Sequence, residues 1–376
     1  MFSTKKIFIN ILRYIFKILG YLIKTKPNRI LFTTFNGKGY FCNPKYLSRC
    51  LERIDKYDII WVLNDEISLA NTTCVKFMSL KYFYYYLSSK VIVTNIGFKS
   101  FISKPKKQIR IETWHGGGAY KKTDLAIIKD DFIKYKYRLV GEDIDYYVSS
   151  CKKFSDVMAY AQSVKYEKFL PYGMPRNDIF FNEQEREYQN RLVRKKYNID
   201  FNKKIVLYAP TWRDNGRNLD VNNLCHCIDK LNNNGEQYCL FYRAHIGDTL
   251  QCKDINAIDV SSYPDMQELL CAADILITDY SSCMWDFSLM YKPCFIYATD
   301  IDQYEQERDF YTPMSEWPFP IATNNEELVS NIINFDEAKY IERVKQHHKA
   351  LGSYEDGHSC EKVCKLIADI CKVNDN

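Results

Sequence analysis

The sequence predicts an α/β protein built from two parallel sheets, each wrapped by helices. Short apolar runs alternate with stretches of helical periodicity along most of the chain, the pattern of a parallel sheet covered by helices. The runs end in turn-forming segments such as Asn36-Gly-Lys-Gly39 and Tyr172-Gly-Met-Pro-Arg-Asn-Asp178. A length of 376 residues with 46% apolar content is long for one core and sufficient for two.

Before the first strand the charge is one-sided. Lys5, Lys6, Arg13, Lys17, Lys24, Lys26 and Arg29 all precede the first acidic residue, Glu52. Between Ile7 and Ile23 the chain is rich in Ile, Leu, Phe and Tyr. Lys6, Asn10, Arg13, Lys17, Gly20 and Lys24 recur at three- and four-residue steps, which a helix gathers into one polar stripe. A spanning helix would have to bury Arg13 and Lys17, and a secretory signal would lack such charges. Residues 1–26 therefore read as a basic amphipathic helix on an anionic membrane surface, with packing on the protein's own core as the alternative. Over the whole chain the net charge of +5 is modest and dispersed and does not argue for nucleic acid. Cys225 and Cys227 flank His226, but no second pair among the 14 cysteines answers them at zinc-ligand distance. No metal-ligand cluster or cofactor is expected from the pattern, and magnesium is left open.

The first α/β domain is expected over residues 27–190. Its strands are Arg29 to Phe35, Asp58 to Leu63, Val91 to Asn95 and Gln108 to Trp114, with shorter ones at Asp145 to Ser150 and Lys168 to Gly173. Asn43-Pro-Lys45 opens a helix, and Lys81 to Leu87 forms another. The Gln108 strand runs into Thr113-Trp-His-Gly-Gly-Gly118, placing His115 and Gly116 at the carboxyl edge of a sheet. There a histidine is exposed to chemistry, glycines admit a close ligand, and Lys121 and Lys122 add charge. A satisfied structural histidine is the competing reading. Arg176 and Asn177 follow in a Gly/Pro turn, and a charged helix from Asn182 to Lys196 leads onward.

The second domain is expected over residues 191–376. Lys204 to Tyr208 begins its sheet and ends in Ala209-Pro-Thr-Trp-Arg213. Tyr238 to Tyr242 ends in Arg243-Ala-His245, and Ala257 to Val260 follows. Pro264 suits the first turn of the helix Met266 to Ala273. Ile275 to Thr278 then ends in Asp279-Tyr-Ser-Ser282, and Cys294 to Ala298 closes the series. Ser281 or Ser282 stands where a helix N-cap belongs, so an ordinary capped helix is one account of the turn. The other is a phosphate site, because three strand ends along one edge offer Thr211, Arg213, Arg243, His245, Asp279, Ser281 and Ser282.

Trp114-His-Gly116, Gly173-Met-Pro-Arg-Asn-Asp178, Tyr208-Ala-Pro-Thr-Trp-Arg213, Arg243-Ala-His245 and Thr278-Asp-Tyr-Ser-Ser282 occur in one order. That order, with Asn43-Pro-Lys45, Glu307-Arg308, Phe310-Tyr311 and Tyr354-Glu-Asp-Gly357, resembles the CDP-glycerol glycerophosphotransferases, which prime and polymerise teichoic acids and capsular polymers. Gly117-Gly-Ala119 departs from the bulkier segment common after that family's histidine. The resemblance covers about residues 29–370. It implies a GT-B architecture, with two Rossmann-like domains facing across a cleft, acceptor in the first and CDP-glycerol donor in the second. It also implies a peripheral place on the cytoplasmic face of the cell membrane and a lipid-linked glycan or polyol-phosphate acceptor.

The implied reaction is attack of an acceptor hydroxyl on the distal phosphorus, with CMP released. His115 is the expected base, with Asp279 next. His245, Arg213, Arg243, Thr211, Ser281 and Ser282 would hold the donor phosphates, and Gly116, Lys121, Lys122, Arg176 and Asn177 would face the acceptor. A CDP-ribitol or other CDP-alditol phosphotransferase, a GT-B nucleotide-sugar glycosyltransferase and a silent membrane-bound scaffold or carbohydrate-binding module are the competing readings.

Overall fold

The computed structural model describes residues 2–54, 56–211, 221–232, 237–244, 257–307 and 309–372. Its first sheet contains β1 (Lys26–Thr33), β2 (Asp58–Val62), β3 (Thr73–Val75), β4 (Ser89–Thr94), β5 (Ile109–Glu112), β6 (Tyr146–Val148) and β7 (Phe169–Leu170). All pair in parallel in the order β3-β2-β1-β4-β5-β6-β7. Ile30, Leu31 and Phe32 of β1 are fully buried, as are Val91, Ile92 and Val93 of β4. Strands covered on both faces need such continuous apolar runs, and each large side chain buried contributes about 1.5–3 kcal/mol.

The second sheet contains β8 (Lys204–Ala209), β9 (Tyr238–Tyr242), β10 (Ile258–Asp259), β11 (Ile275–Thr278), β12 (Cys294–Tyr297) and β13 (Ile321–Ala322). It too is parallel, in the order β10-β9-β8-β11-β12-β13. Val206, Leu224, Ile228, Leu240, Ile277 and Phe295 form part of one buried cluster beneath it. Each sheet thus reverses its winding direction once, between β1 and β4 and between β8 and β11. Such reversals open a crevice at the carboxyl ends of the strands, where ligands bind in open α/β sheets.

The chain divides into two compact units, and the division departs from a single cut near residue 190. The first unit takes Met1–Gly116, Thr123–Asp178 and Ser353–Asn376; the second takes Gly117–Lys122 and Ile179–Gly352. The helix Ser359–Lys372 belongs to the first unit because it packs on the helix Cys42–Glu52 and on β1. Its N-terminal turn is anchored there by Asp178, whose carboxylate accepts the N–H groups of Ser359 and Cys360 at 2.9 and 2.7 Å.

The amino-terminal helix spans Phe2–Leu22, and it meets the protein through Ile9, Leu12, Phe16 and Leu19 and through part of its polar stripe, while Lys17 stays exposed. Arg13 donates to Asp143 and to the Ser100 carbonyl, Asn10 accepts from the Tyr135 hydroxyl, and Gly20 lies against Pro105. The opposite face is apolar and uncovered: Ile7, Phe8, Ile11, Tyr14, Ile15, Ile18, Tyr21 and Leu22 are 43–75% exposed. Among the described residues no helix is long and apolar enough to cross a membrane.

Candidate active site

His115 stands three residues beyond the end of β5, in the first unit. Its Nδ1 lies 2.8 Å from the backbone carbonyl of Asn95, the residue after β4. A carbonyl only accepts, so Nδ1 carries the hydrogen and Nε2 is the basic nitrogen of the neutral ring. The ring also lies 5.0 Å from that of Phe35 and 4.4 Å from that of Trp114. Asn95 does a second job, since its Oδ1 accepts the Phe35 N–H at 3.0 Å and so bridges the ends of β1 and β4.

The backbone ahead of His115 is strained and pinned. Trp114 has φ +53°, a left-handed conformation that costs a non-glycine residue about 1–2 kcal/mol. Its N–H donates to Glu112 Oε1 at 2.8 Å, and its carbonyl accepts from Asn43 Nδ2 at 2.9 Å. Glu112 is completely buried, and burial pushes its carboxyl up to about 8 even though the Trp114 and Gly97 N–H groups pull the other way. Sequence reasoning missed Glu112; the only signal was an acid closing a strand whose other residues are Ile109, Arg110 and Ile111.

The expected acceptor-side residues have different neighbours. Arg176 and Asn177 are buried scaffold. The Arg176 N–H donates to Asn43 Oδ1 at 3.0 Å, and Asn177 Nδ2 donates to Glu355 Oε1 at 3.0 Å. Glu355 also accepts the Met174 N–H. Asn43, Trp114, Met174, Arg176, Asn177 and Glu355 thus form one hydrogen-bonded network behind His115. Lys121 pairs through its backbone with Phe310, and the Lys122 ammonium is engaged by Asp309, both within the second unit. Gly116 is buried. Gly117 and Gly118 serve packing rather than a ligand: a Cβ on either would come within 2.3 Å and 2.8 Å, respectively, of the Trp285 ring.

In the second unit the described strand-end residues do assemble along one edge. Asp279, fully buried after β11, accepts the Thr211 N–H at 2.9 and 3.0 Å through its two oxygens and the Tyr280 N–H at 2.5 Å. It therefore bridges β8 and β11 at the winding reversal, just as Asn95 bridges β1 and β4. Its two oxygens hold the Thr211 and Tyr280 N–H groups, which is the geometry of an orienting residue. Arg243, after β9, donates to the Tyr263 carbonyl at 2.7 Å, and burial lowers its pKa. Ser282 occupies the N-cap position of the helix Cys283–Ser288 but makes no side-chain capping bond, because its backbone is already helical at φ −65° and ψ −7°. Ser281 Oγ accepts a long 3.5 Å contact from the Cys283 N–H, and its hydroxyl also meets the Cys283 thiol. Capping thus does not account for the two hydroxyls. Trp212, Arg213, His245 and Arg308 lie outside the described residues. Among the described residues no group of three His, Cys, Asp or Glu side chains is placed to hold a metal.

Residues 15–369 match the family described as CDP-Glycerol:Poly(glycerophosphate) glycerophosphotransferase. The chain is 29% identical over 399 residues to the teichoic acid poly(glycerol phosphate) polymerase of Bacillus spizizenii, covering 98% of each. It is 30% identical over 371 residues to the protein of the same description from Staphylococcus epidermidis, with 91% of this chain matched but only 50% of that one. The chain therefore spans about half the length of that relative. A solved structure of the wall teichoic acid polymerase TagF, soaked with CDPG, superposes with TM-score 0.85 at 28% identity, covering 97% of this chain and 94% of that one. UDP-GlcNAc 2-epimerase from Neisseria meningitidis, at 9% identity and TM-score 0.53 over 91% of this chain and 100% of that one, shares the fold alone. The architecture is GT-B-type α/β.

Proposed function

The chain belongs to the CDP-glycerol:poly(glycerophosphate) glycerophosphotransferase family, and from that premise we propose that it transfers glycerol phosphate from CDP-glycerol to a hydroxyl of an acceptor polymer. The observation that carries this reading is the pair of sheet reversals, one supporting a histidine of fixed tautomer and the other a set of hydroxyl, amide and guanidinium donors.

In this mechanism His115 Nε2 takes the proton of the acceptor hydroxyl while its oxygen bonds to the distal phosphorus. The bond from that phosphorus to the bridging oxygen breaks, and CMP leaves as a phosphate. General-base help of this kind is worth about 10²–10⁴ in rate. Arg243, the Ser281 and Ser282 hydroxyls and the backbone at Thr211 meet the donor phosphates, with Asp279 holding the Thr211 turn in place. Arg213 and His245 keep the donor-phosphate roles that the family resemblance implies.

The first unit serves the acceptor and the second the donor. The acceptor is lipid-linked, and the helix Phe2–Leu22 carries the protein to the anionic membrane surface on its cytoplasmic face. Supporting this, an apolar face of that helix points away from the protein with Lys5 and Lys17 exposed, while Arg13 and Asn10 are used for docking. Such a face gains on burial in an interface.

The test is CMP release by the purified chain from CDP-glycerol, CDP-ribitol and a nucleotide sugar, with and without a short glycerol phosphate acceptor. Release from CDP-glycerol that rises with acceptor is expected. Preference for CDP-ribitol would move the assignment to another alditol. Turnover of the nucleotide sugar alone would make the chain a glycosyltransferase, and turnover of none would favour a scaffold.

A further inference from the structure

His115 also forms part of the wall of a partly open cavity of about 440 Å³ on the first unit, in the size range of small-molecule sites. The loop after β4, the His115 loop and the helix Asp131–Asp143 border it. Its polar lining falls into two kinds. Asp124 is satisfied, accepting the Tyr137 hydroxyl at 2.5 Å and Gln162 Nε2 at 2.7 Å. Lys99 and Lys136 are not: among the described residues neither side chain has a hydrogen bond or an ion pair. Each lies over an aromatic ring, Lys99 at 5.1 Å from that of Phe77 and Lys136 at 5.5 Å from that of Phe132. Burial lowers the pKa of Lys99, so its ammonium stands to gain from an anion in the cavity.

The same cavity adjoins the amino-terminal helix. Ser100 and Phe101 line it, and on their other side Arg13 donates to the Ser100 carbonyl at 2.9 Å while Phe16 packs 5.8 Å from Phe101. A ligand arriving from the surface that this helix contacts therefore has a short path to His115.

We propose that this cavity is the acceptor subsite, taking the terminal glycerol phosphate unit of the acceptor with its phosphate on Lys99 and Lys136 and its free hydroxyl at His115. The proposal rests on the glycerophosphotransferase reading and adds the residues that select the acceptor. A phosphodiester carries one negative charge. The two lysines and the hydrogen-bonded Asp124 together leave the wall one positive charge to meet it, and Tyr137 and Gln162 stand beside the acid as further polar contacts.

The experiment compares wild type with Lys99→Gln/Lys136→Gln, using a soluble glycerol phosphate trimer as the probe. Calorimetry reads trimer binding without turnover, and CMP release from CDP-glycerol reads the reaction separately. The double variant is expected to raise the trimer KM by ~10-fold or more and to lose trimer binding, while CDP-glycerol affinity stays within twofold. Lys99→Arg/Lys136→Arg should restore most of the binding. An unchanged trimer KM and affinity would overturn the subsite. So would a loss of affinity for phosphatidylglycerol vesicles with the trimer KM intact, which would assign the lysines to lipid headgroups. If the double variant does not fold, Lys136→Gln alone, on the half-exposed face of its helix, gives the same reading. Failure of wild type to release CMP with trimer still bound would instead count against the proposed reaction.

Discussion

The Asn95 carbonyl and His115 Nδ1 lie 2.8 Å apart, and that contact decides which nitrogen of the histidine is basic. His115→Ala is therefore expected to lower the single-turnover rate about 10²–10⁴-fold while leaving CDP-glycerol affinity close to wild type. Single-turnover kinetics at saturating donor check the first part, and calorimetry the second. A wild-type rate in the variant would move the base elsewhere.

The two serines of the second unit make a separable prediction. A capping serine costs about 0.5–2 kcal/mol when replaced by alanine, yet Ser282 makes no side-chain capping bond. Ser281→Ala/Ser282→Ala should then change unfolding stability by less than about 0.5 kcal/mol and weaken CDP-glycerol binding by about 1–3 kcal/mol. Chemical denaturation and calorimetry on one preparation distinguish a structural from a binding role.

The orientation of the amino-terminal helix predicts opposite phenotypes on its two faces. Ile11→Glu/Ile18→Glu, on the exposed side, should abolish binding to anionic vesicles with little loss of Tm. Arg13→Ala, which breaks the pairing with Asp143 and Ser100, should lower Tm and leave vesicle binding largely intact. Vesicle co-sedimentation and a thermal melt read both, and raised salt should weaken the wild-type association.

A buried histidine pair in the second unit predicts acid sensitivity. His347 faces the Tyr120 hydroxyl at 3.0 Å and His348 the Ser288 hydroxyl at 2.7 Å. Burial pushes each down to about 4 from the usual 6.5, with the charge of His347 adding to the effect at His348. Both stay neutral in the folded protein while the unfolded chain takes up protons below pH 6.5. Stability should therefore fall as pH drops from about 6.5 to 4, by up to about 1.4 kcal/mol per pH unit for each group. His347→Gln/His348→Gln should flatten that slope in urea titrations at pH 7, 6 and 5.

The sequence by itself determined most of the strands and their ends, but not the short edge strands β3 and β13. Buried parallel strands favour continuous apolar runs, so β1, β4, β8, β9 and β11 are legible from local pattern, as is β5 from its alternating Ile109 and Ile111, and with them the placement of His115, Asp279 and the two serines at strand ends. Tertiary structure decided what those ends touch. Periodicity shows that Lys6, Asn10, Arg13, Lys17, Gly20 and Lys24 share a face, but only the positions of Asp143, Ser100 and Tyr135 show that Arg13 and Asn10 bind the protein while Lys17 stays exposed. Nothing local tells that Asn43, Arg176 and Glu355, far apart in the chain, meet behind Trp114, or that the glycines after His115 make room for Trp285. Nor does local pattern assign the helix Ser359–Lys372 to the first unit. Secondary structure follows from neighbours in sequence, whereas a hydrogen-bonded network, a close ring contact and a docked terminal helix depend on groups that only folding brings within a few ångströms.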